Sequence, residues 1–158
     1  MRFAPVNSHL TASNKLGNPA HYLRLLGYTN SIQSHMSHFT TIRTQIRDVD
    51  ALRAACSELG LDLLQNAEAR GYYNQTTKGE YVIRLHGPYD IALNRQDRNA
   101  FALTTDWYNN HVEAEVGVNY GKLIQLYGVH KATIEARKKG WTVQRKQVGN
   151  NIKLTIGL

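Results

Sequence analysis

Tyr81-Val82-Ile83-Arg84-Leu85, His86-Gly87-Pro88, Tyr89-Asp90-Ile91-Ala92-Leu93, the polar run Asn94 to Asn99, and Ala100-Phe101-Ala102-Leu103-Thr104 decide the fold of this chain. Three short runs rich in Val, Ile, Leu and aromatic residues are separated by turn-forming clusters, which is strand patterning. The connections are too short for helical crossovers, so the three strands form an antiparallel meander.

Upstream, Phe39 to Ile46 alternates Thr40/Ile42/Thr44/Ile46 against Thr41/Arg43/Gln45 and reads as a half-buried strand. Asp48 follows as an N-cap, its carboxylate placed to accept from first-turn N–H groups. Leu52, Ala55, Cys56 and Leu59 recur on one helical face, and Gly60 closes that helix. Leu61 to Leu64 begins another strand, and the stretch Asn66 to Gly79 is polar, with Asn74 to Gly79 reading as a turn or exposed loop.

Downstream, Asp106-Trp107-Tyr108 leads into a polar connector. Tyr120, Leu123, Ile124, Tyr127, Lys131 and Ile134 then stripe a long helix over Val118 to Lys139, with a bend expected near Gly128. Gly140 ends it. Trp141 to Gln147 and Asn151 to Ile156 alternate around Gly149-Asn150, which is a β-hairpin. The expected fold is α+β, in the order β-α-β-β-β-β-α-β-β. It is a mostly antiparallel sheet with two main helices on one face and a C-terminal hairpin.

At 158 residues the chain is one domain with room for a full core. One cysteine, Cys56, allows no internal disulfide, and the apolar face it sits on makes it a core residue rather than a nucleophile. No apolar run approaches the roughly 18 residues that span a bilayer, so a soluble protein is expected, cytoplasmic or in the plastid stroma of an alga. The net charge of +7 is uneven: residues 1–47 hold five basic residues and no acidic one. Residues 48–158 are nearly balanced, so the basic pI does not by itself argue for nucleic acid.

Residues 1–35 lack sustained periodicity beyond the apolar cluster Tyr22 to Leu26. They read as an extension: structured, transit-like, or lying ahead of the true start at Met36, the last being preferred. The compact domain is then 36–158.

Motifs for catalysis and metal binding are scarce. Seven histidines include His35 and His38 three apart, with His86, His111 and His130 standing alone. Without a His-Glu-x-x-His or Cys-x-x-Cys arrangement, no metal or cofactor is expected. His86-Gly87-Pro88-Tyr89-Asp90 is first of all a turn. Its functional reading is a pocket lip of His86, Tyr89 and Asp90, with the carboxylate tuning the histidine. The densest basic cluster is Arg137, Lys138, Lys139, Arg145 and Lys146: a helix C-terminus and a solvated hairpin face, or a phosphate-binding surface. Tyr72, Tyr73, Tyr81, Tyr89, Trp107, Tyr108, Tyr120, Tyr127 and Trp141 are mostly core and rim packing, and an exposed subset beside Arg70, Arg84, Arg95 and Arg98 would suit single-stranded nucleic acid.

Met36-Ser37-His38-Phe39, Thr44 to Asp48, Arg70-Gly71-Tyr72, Val82 to Leu85 with Gly87 to Ile91, Asp106-Trp107 and Glu135 to Val143 together resemble a known family. It is the conserved chloroplast open reading frame numbered thirty-five, a domain of unknown function in cyanobacteria, algal plastids and other bacteria. The resemblance covers about 36–158, with His86 standing where an acidic residue is common. It implies no reaction and no catalytic residues.

The expectation is therefore a non-enzymatic accessory domain acting through another protein, with open strand edges such as Ile152 to Ile156 available for pairing. The alternatives are an RNA- or ribosome-associated protein using the 137–146 cluster, and a small-pocket enzyme using His86 and Asp90.

Overall fold

The computed structural model describes residues 39–158. The extension 1–35 with its Tyr22 to Leu26 cluster, the boundary at Met36 and the His35/His38 pair lie outside the described residues. The elements are β1 (Phe39–Arg43), α1 (Val49–Glu58), β2 (Asp62–Arg70), β3 (Thr76–Arg84), β4 (Ile91–Arg95) and β5 (Phe101–Asp106). They continue with α2 (His111–Val116), α3 (Gly121–Lys138), β6 (Thr142–Val148) and β7 (Asn151–Gly157). Five strands form an antiparallel sheet in the order β1-β5-β4-β3-β2, and β6-β7 is a separate hairpin. The α+β class and the element order agree with the sequence reading.

Register explains how the core is divided. Leu63, Ile83 and Ile91 stand side by side across three strands, as do Leu93 and Leu103 with Ile42. These residues share one face, and α1 and α3 bury Leu52, Ala55, Cys56, Leu123, Leu126 and Tyr127 against it. Asp48 caps α1 through bonds from Asp50 N (3.0 Å) and Ala51 N (3.1 Å), as its position in the sequence predicts. The Tyr127 hydroxyl of α3 accepts from the backbone N–H groups of Arg47 and Asp48, which ties that helix to the β1–α1 junction.

Several sequence expectations are corrected. The turn expected over Asn74 to Gly79 is shorter and earlier: β2 extends to Arg70, residues 71–75 make the turn, and β3 begins at Thr76. This long hairpin is sharply bent. Asn66 takes φ 49° within β2, and a Cβ at Gly79 would run into the Tyr81 carbonyl oxygen. The bend folds the hairpin tip back over the sheet face away from the helices. Ala69 therefore packs on Val82 and Ala92, although its ladder partner is Thr77. Gly71 then lies so close to the Phe39 ring that any side chain there would displace the ring. Polarity hid these strands, because the face they bury consists mainly of Ala67 and Ala69.

The 107–120 connector is also more ordered than its polarity suggests. It contains α2, buried through Val112 and Val116, and α3 starts at Gly121 rather than Val118. α3 runs unbroken through Gly128. Strand ends move as well: β1 ends at Arg43, and β4 starts at Ile91 rather than Tyr89.

Candidate interaction surface

The back-folded hairpin brings Arg70, Gly71 and Tyr72 to one end of the sheet, where β4 and β5 present two buried carboxylates. Asp90 is fully buried and Asp106 is 1% exposed. Asp90 Oδ2 accepts from Arg70 N (2.9 Å), Arg70 Nε (2.8 Å) and Arg84 Nη1 (2.6 Å). Its Oδ1 accepts from Arg70 Nη2 (2.8 Å) and Leu85 N (3.0 Å). Asp90 N in turn donates to Arg70 O at 2.9 Å. Burial alone pushes the Asp90 carboxyl up, but the Arg70 hydrogen bonds, with those of the Arg70 and Leu85 N–H groups, outweigh it and hold the group below its ordinary value.

Asp106 holds a second assembly. Its Oδ2 accepts from Tyr72 N (3.1 Å) and its Oδ1 from Tyr108 N (2.9 Å). One carboxylate thus clamps two tight turns that are far apart in sequence. Both turns contain left-handed residues: Tyr73 (φ 55°) and Asn74 (φ 58°) in one, Asn109 (φ 58°) and Asn110 (φ 57°) in the other. The result is a rim of contiguous rings. Tyr72 meets Tyr73 at 5.0 Å between centroids and Tyr108 at 4.8 Å. Tyr73 is 83% exposed and Tyr108 is 52% exposed, so the rim offers aromatic surface to solvent.

The residues singled out from sequence scatter around this assembly. His86 does not meet Asp90. Its Nδ1 lies 2.9 Å from Glu115 Oε2 of α2, and that carboxylate also accepts from His86 N (2.9 Å) and Gly87 N (2.8 Å). Burial pushes the Glu115 carboxyl up, but these backbone and imidazole contacts bring it below its ordinary value. Tyr89 is buried on the helix side of the sheet, edge-on to His111 at 5.5 Å. Neither of the two described clefts is lined by His86, Tyr89 or Asp90.

The basic cluster is dispersed and partly neutralised. Arg145 reaches Glu58 with both Nη1 (2.9 Å) and Nη2 (2.6 Å), and Lys138 Nζ bonds Glu135 at 3.2 Å. Lys139 Nζ sits over the Trp141 ring at 4.7 Å. Arg137 and Lys146 are exposed without a partner among the described residues. Of the four arginines expected beside the aromatics, all but Arg98 are engaged. Arg70 and Arg84 hold Asp90, while Arg95 bonds Glu80 and covers Phe101.

Sequence reasoning noticed Tyr72, Tyr73 and Tyr108 as aromatic residues but not as one surface, and it missed Asp106 and Glu115 as clamps. The available signal was asparagine: Asn74, Asn109 and Asn110 follow those tyrosines, and asparagine is enriched in left-handed turns.

The larger cleft, about 620 Å³, lies between the ends of α1 and α3 and the β6-β7 hairpin. The smaller, about 330 Å³, is lined by Arg43, Arg47, Asp97 and Arg98 at the open end of β1 and the β4–β5 turn. Among the described residues no group of three or more His, Cys, Asp or Glu is placed to hold a metal ion. Nor is any helix among them long and apolar enough to cross a membrane.

Fold and surface together define a small α+β domain whose built feature is a clamped, outward-facing aromatic rim. The chain belongs to the family of proteins of unknown function designated DUF1257, whose family model matches residues 55–156. No curated protein and no solved structure matches it.

Proposed function

We propose that this chain is a non-enzymatic accessory domain that binds another protein through the Tyr72–Tyr73–Tyr108 rim. One observation carries the reading. Tyr73, a bulky residue, stands 83% exposed at φ 55°, in a turn gripped from beneath by buried Asp106. A left-handed tyrosine costs on the order of 1–2 kcal/mol, and such strain persists only where the surroundings over-determine it. Exposed clustered tyrosines are also the side chains that anchor protein interfaces. Arg70 and Arg84 are committed to Asp90 and Arg95 to Glu80, leaving Arg98 alone of the four arginines for phosphate, which favours a protein over a nucleic acid.

Within DUF1257, the sequence blocks from Arg70 to Val143 support kinship with the chloroplast open reading frame thirty-five proteins. The setting this implies is the cytoplasm, or the plastid stroma in an alga.

The test is affinity capture of the tagged full chain from its native cells, with and without RNase, beside a Tyr73→Ala/Tyr108→Ala variant. The reading expects a protein that co-purifies despite RNase and is lost with the variant. Capture that needs RNA, or that survives the double substitution, overturns it.

A further inference from the structure

We infer that the free edge of β7 pairs antiparallel with β7 of a second copy of this chain, joining two hairpins into one four-stranded sheet. The inference concerns a different surface from the aromatic rim and goes beyond the proposed function.

β6 and β7 form a two-stranded sheet with no neighbouring strand among the described residues. A lone hairpin is marginally stable and needs either further strands or packing against a helix. Here the hairpin is held to the body by Ile152 packing, the Arg145–Glu58 pair and a 3.1 Å bond from Gln125 Nε2 to Asn150 O. A cleft of about 620 Å³ remains beneath it. Ile156 and Val148 are half exposed.

Register determines what the edge presents. Val148 faces Asn151 across the Gly149-Asn150 turn, so it forms a hydrogen-bonded pair, and such pairs alternate along the ladder. Ile152, Leu154 and Ile156 fall in the non-bonded positions opposite Gln147, Arg145 and Val143. Their N–H and C=O groups therefore point outward along the free edge. In a two-fold pairing centred on Leu154, Leu154 meets its own copy and Ile152 meets the second copy's Ile156. The apolar side chains of both strands then fall on one face.

Charge selects the same register. Lys146 and Lys153 already face each other within the hairpin, and like charges directly opposite disfavour pairing. Centring the contact on Lys153 would line up four ammonium groups. Centring it on Leu154 places each Lys153 opposite Thr155. The β6 edge offers no equivalent, since its outward residues centre on Arg145, which would oppose itself. The edge of β2 is blunted by the bend at Asn66.

The test is sedimentation velocity of the full chain across about 1 µM to 1 mM, with variants at the exposed position 155. The wild type is expected to pass from a 17.9 kDa species to one of twice that mass. Thr155→Glu, facing Lys153 of the other copy, tightens the dimer and Thr155→Lys loosens it, with a difference on the order of tenfold in Kd. Leu154→Cys is expected to give an oxidised dimer, because bonded antiparallel pairs bring Cα atoms within disulfide range and Cys56 is buried. Thermal melts of each variant confirm that the monomer is folded. A chain that stays monomeric throughout overturns the inference and leaves the rim to its own test. So does a dimer that is indifferent to both position-155 charges and does not cross-link through position 154.

Discussion

Replacing Asp90 with alanine should weaken this domain more than any other single change at a charged residue. The side chain accepts five hydrogen bonds from a fully buried position. Two come from the backbone N–H groups of Arg70 and Leu85, which lose their acceptor on substitution; each such orphan costs about 1–3 kcal/mol. The guanidinium groups of Arg70 and Arg84 contribute less, because their side chains are 43% and 34% exposed and can turn to water. The total is about 3–5 kcal/mol, the range for breaking a buried pair from one side. Arg84→Ala leaves Asp90 with Arg70 and both backbone donors, so it should cost about 1 kcal/mol or less. The assay is urea unfolding, read as a midpoint shift at constant slope. The pH dependence has a definite sign. The folded carboxyl lies below its ordinary value of 3.8, so its stabilisation is present above that pH and lost as pH falls through the folded value. The gap between wild type and Asp90→Ala should be constant near neutrality and narrow below about pH 4. A loss under about 1 kcal/mol, or an Arg84→Ala cost equal to that of Asp90→Ala, would refute the reasoning.

Three further outcomes are expected. Burial pushes the Cys56 thiol up to about 12, so a thiol reagent at pH 8 should label the unfolded chain and spare the native one; fast native labelling would contradict the packing of α1. Gly79→Ala should cost about 2 kcal/mol or more, because the new Cβ meets the Tyr81 carbonyl oxygen at the hairpin bend; an unchanged thermal midpoint would show that the bend is not obligatory. Tyr73→Gly should keep wild-type stability to within about 1 kcal/mol, since lost ring contact is offset by relief of the left-handed strain, and yet it should abolish partner capture. Loss of both together would make Tyr73 a packing residue.

The parts of the fold that were legible in the sequence are those set by neighbours in the chain. The meander from Tyr81 to Thr104, the Asp48 cap and the hairpin around Gly149-Asn150 each follow from a local period and a turn residue. The back-folded hairpin was not legible. The polar stretch 66–79 carries no strand period because its burial comes from Val82 and Ala92, reached only after the bend at Asn66 and Gly79. The same physics separates success from failure at the surface. Asp90 could be singled out by its setting after Gly87-Pro88, but its partner is Arg70, 20 residues earlier, and not the nearby histidine. His86 instead found Glu115, 29 residues later. Asp106, 34 residues from Tyr72, could join the two tyrosine turns only once the hairpin had folded over the sheet.

The claim that the rim is a protein-binding surface is tested most directly by quantitative mass spectrometry of proteins captured from native cells, after RNase, on the wild type and on Tyr73→Ala/Tyr108→Ala at matched thermal stability. The account predicts at least one stoichiometric protein that is present with the wild type and depleted at least tenfold with the variant. Equal recovery on both would contradict it.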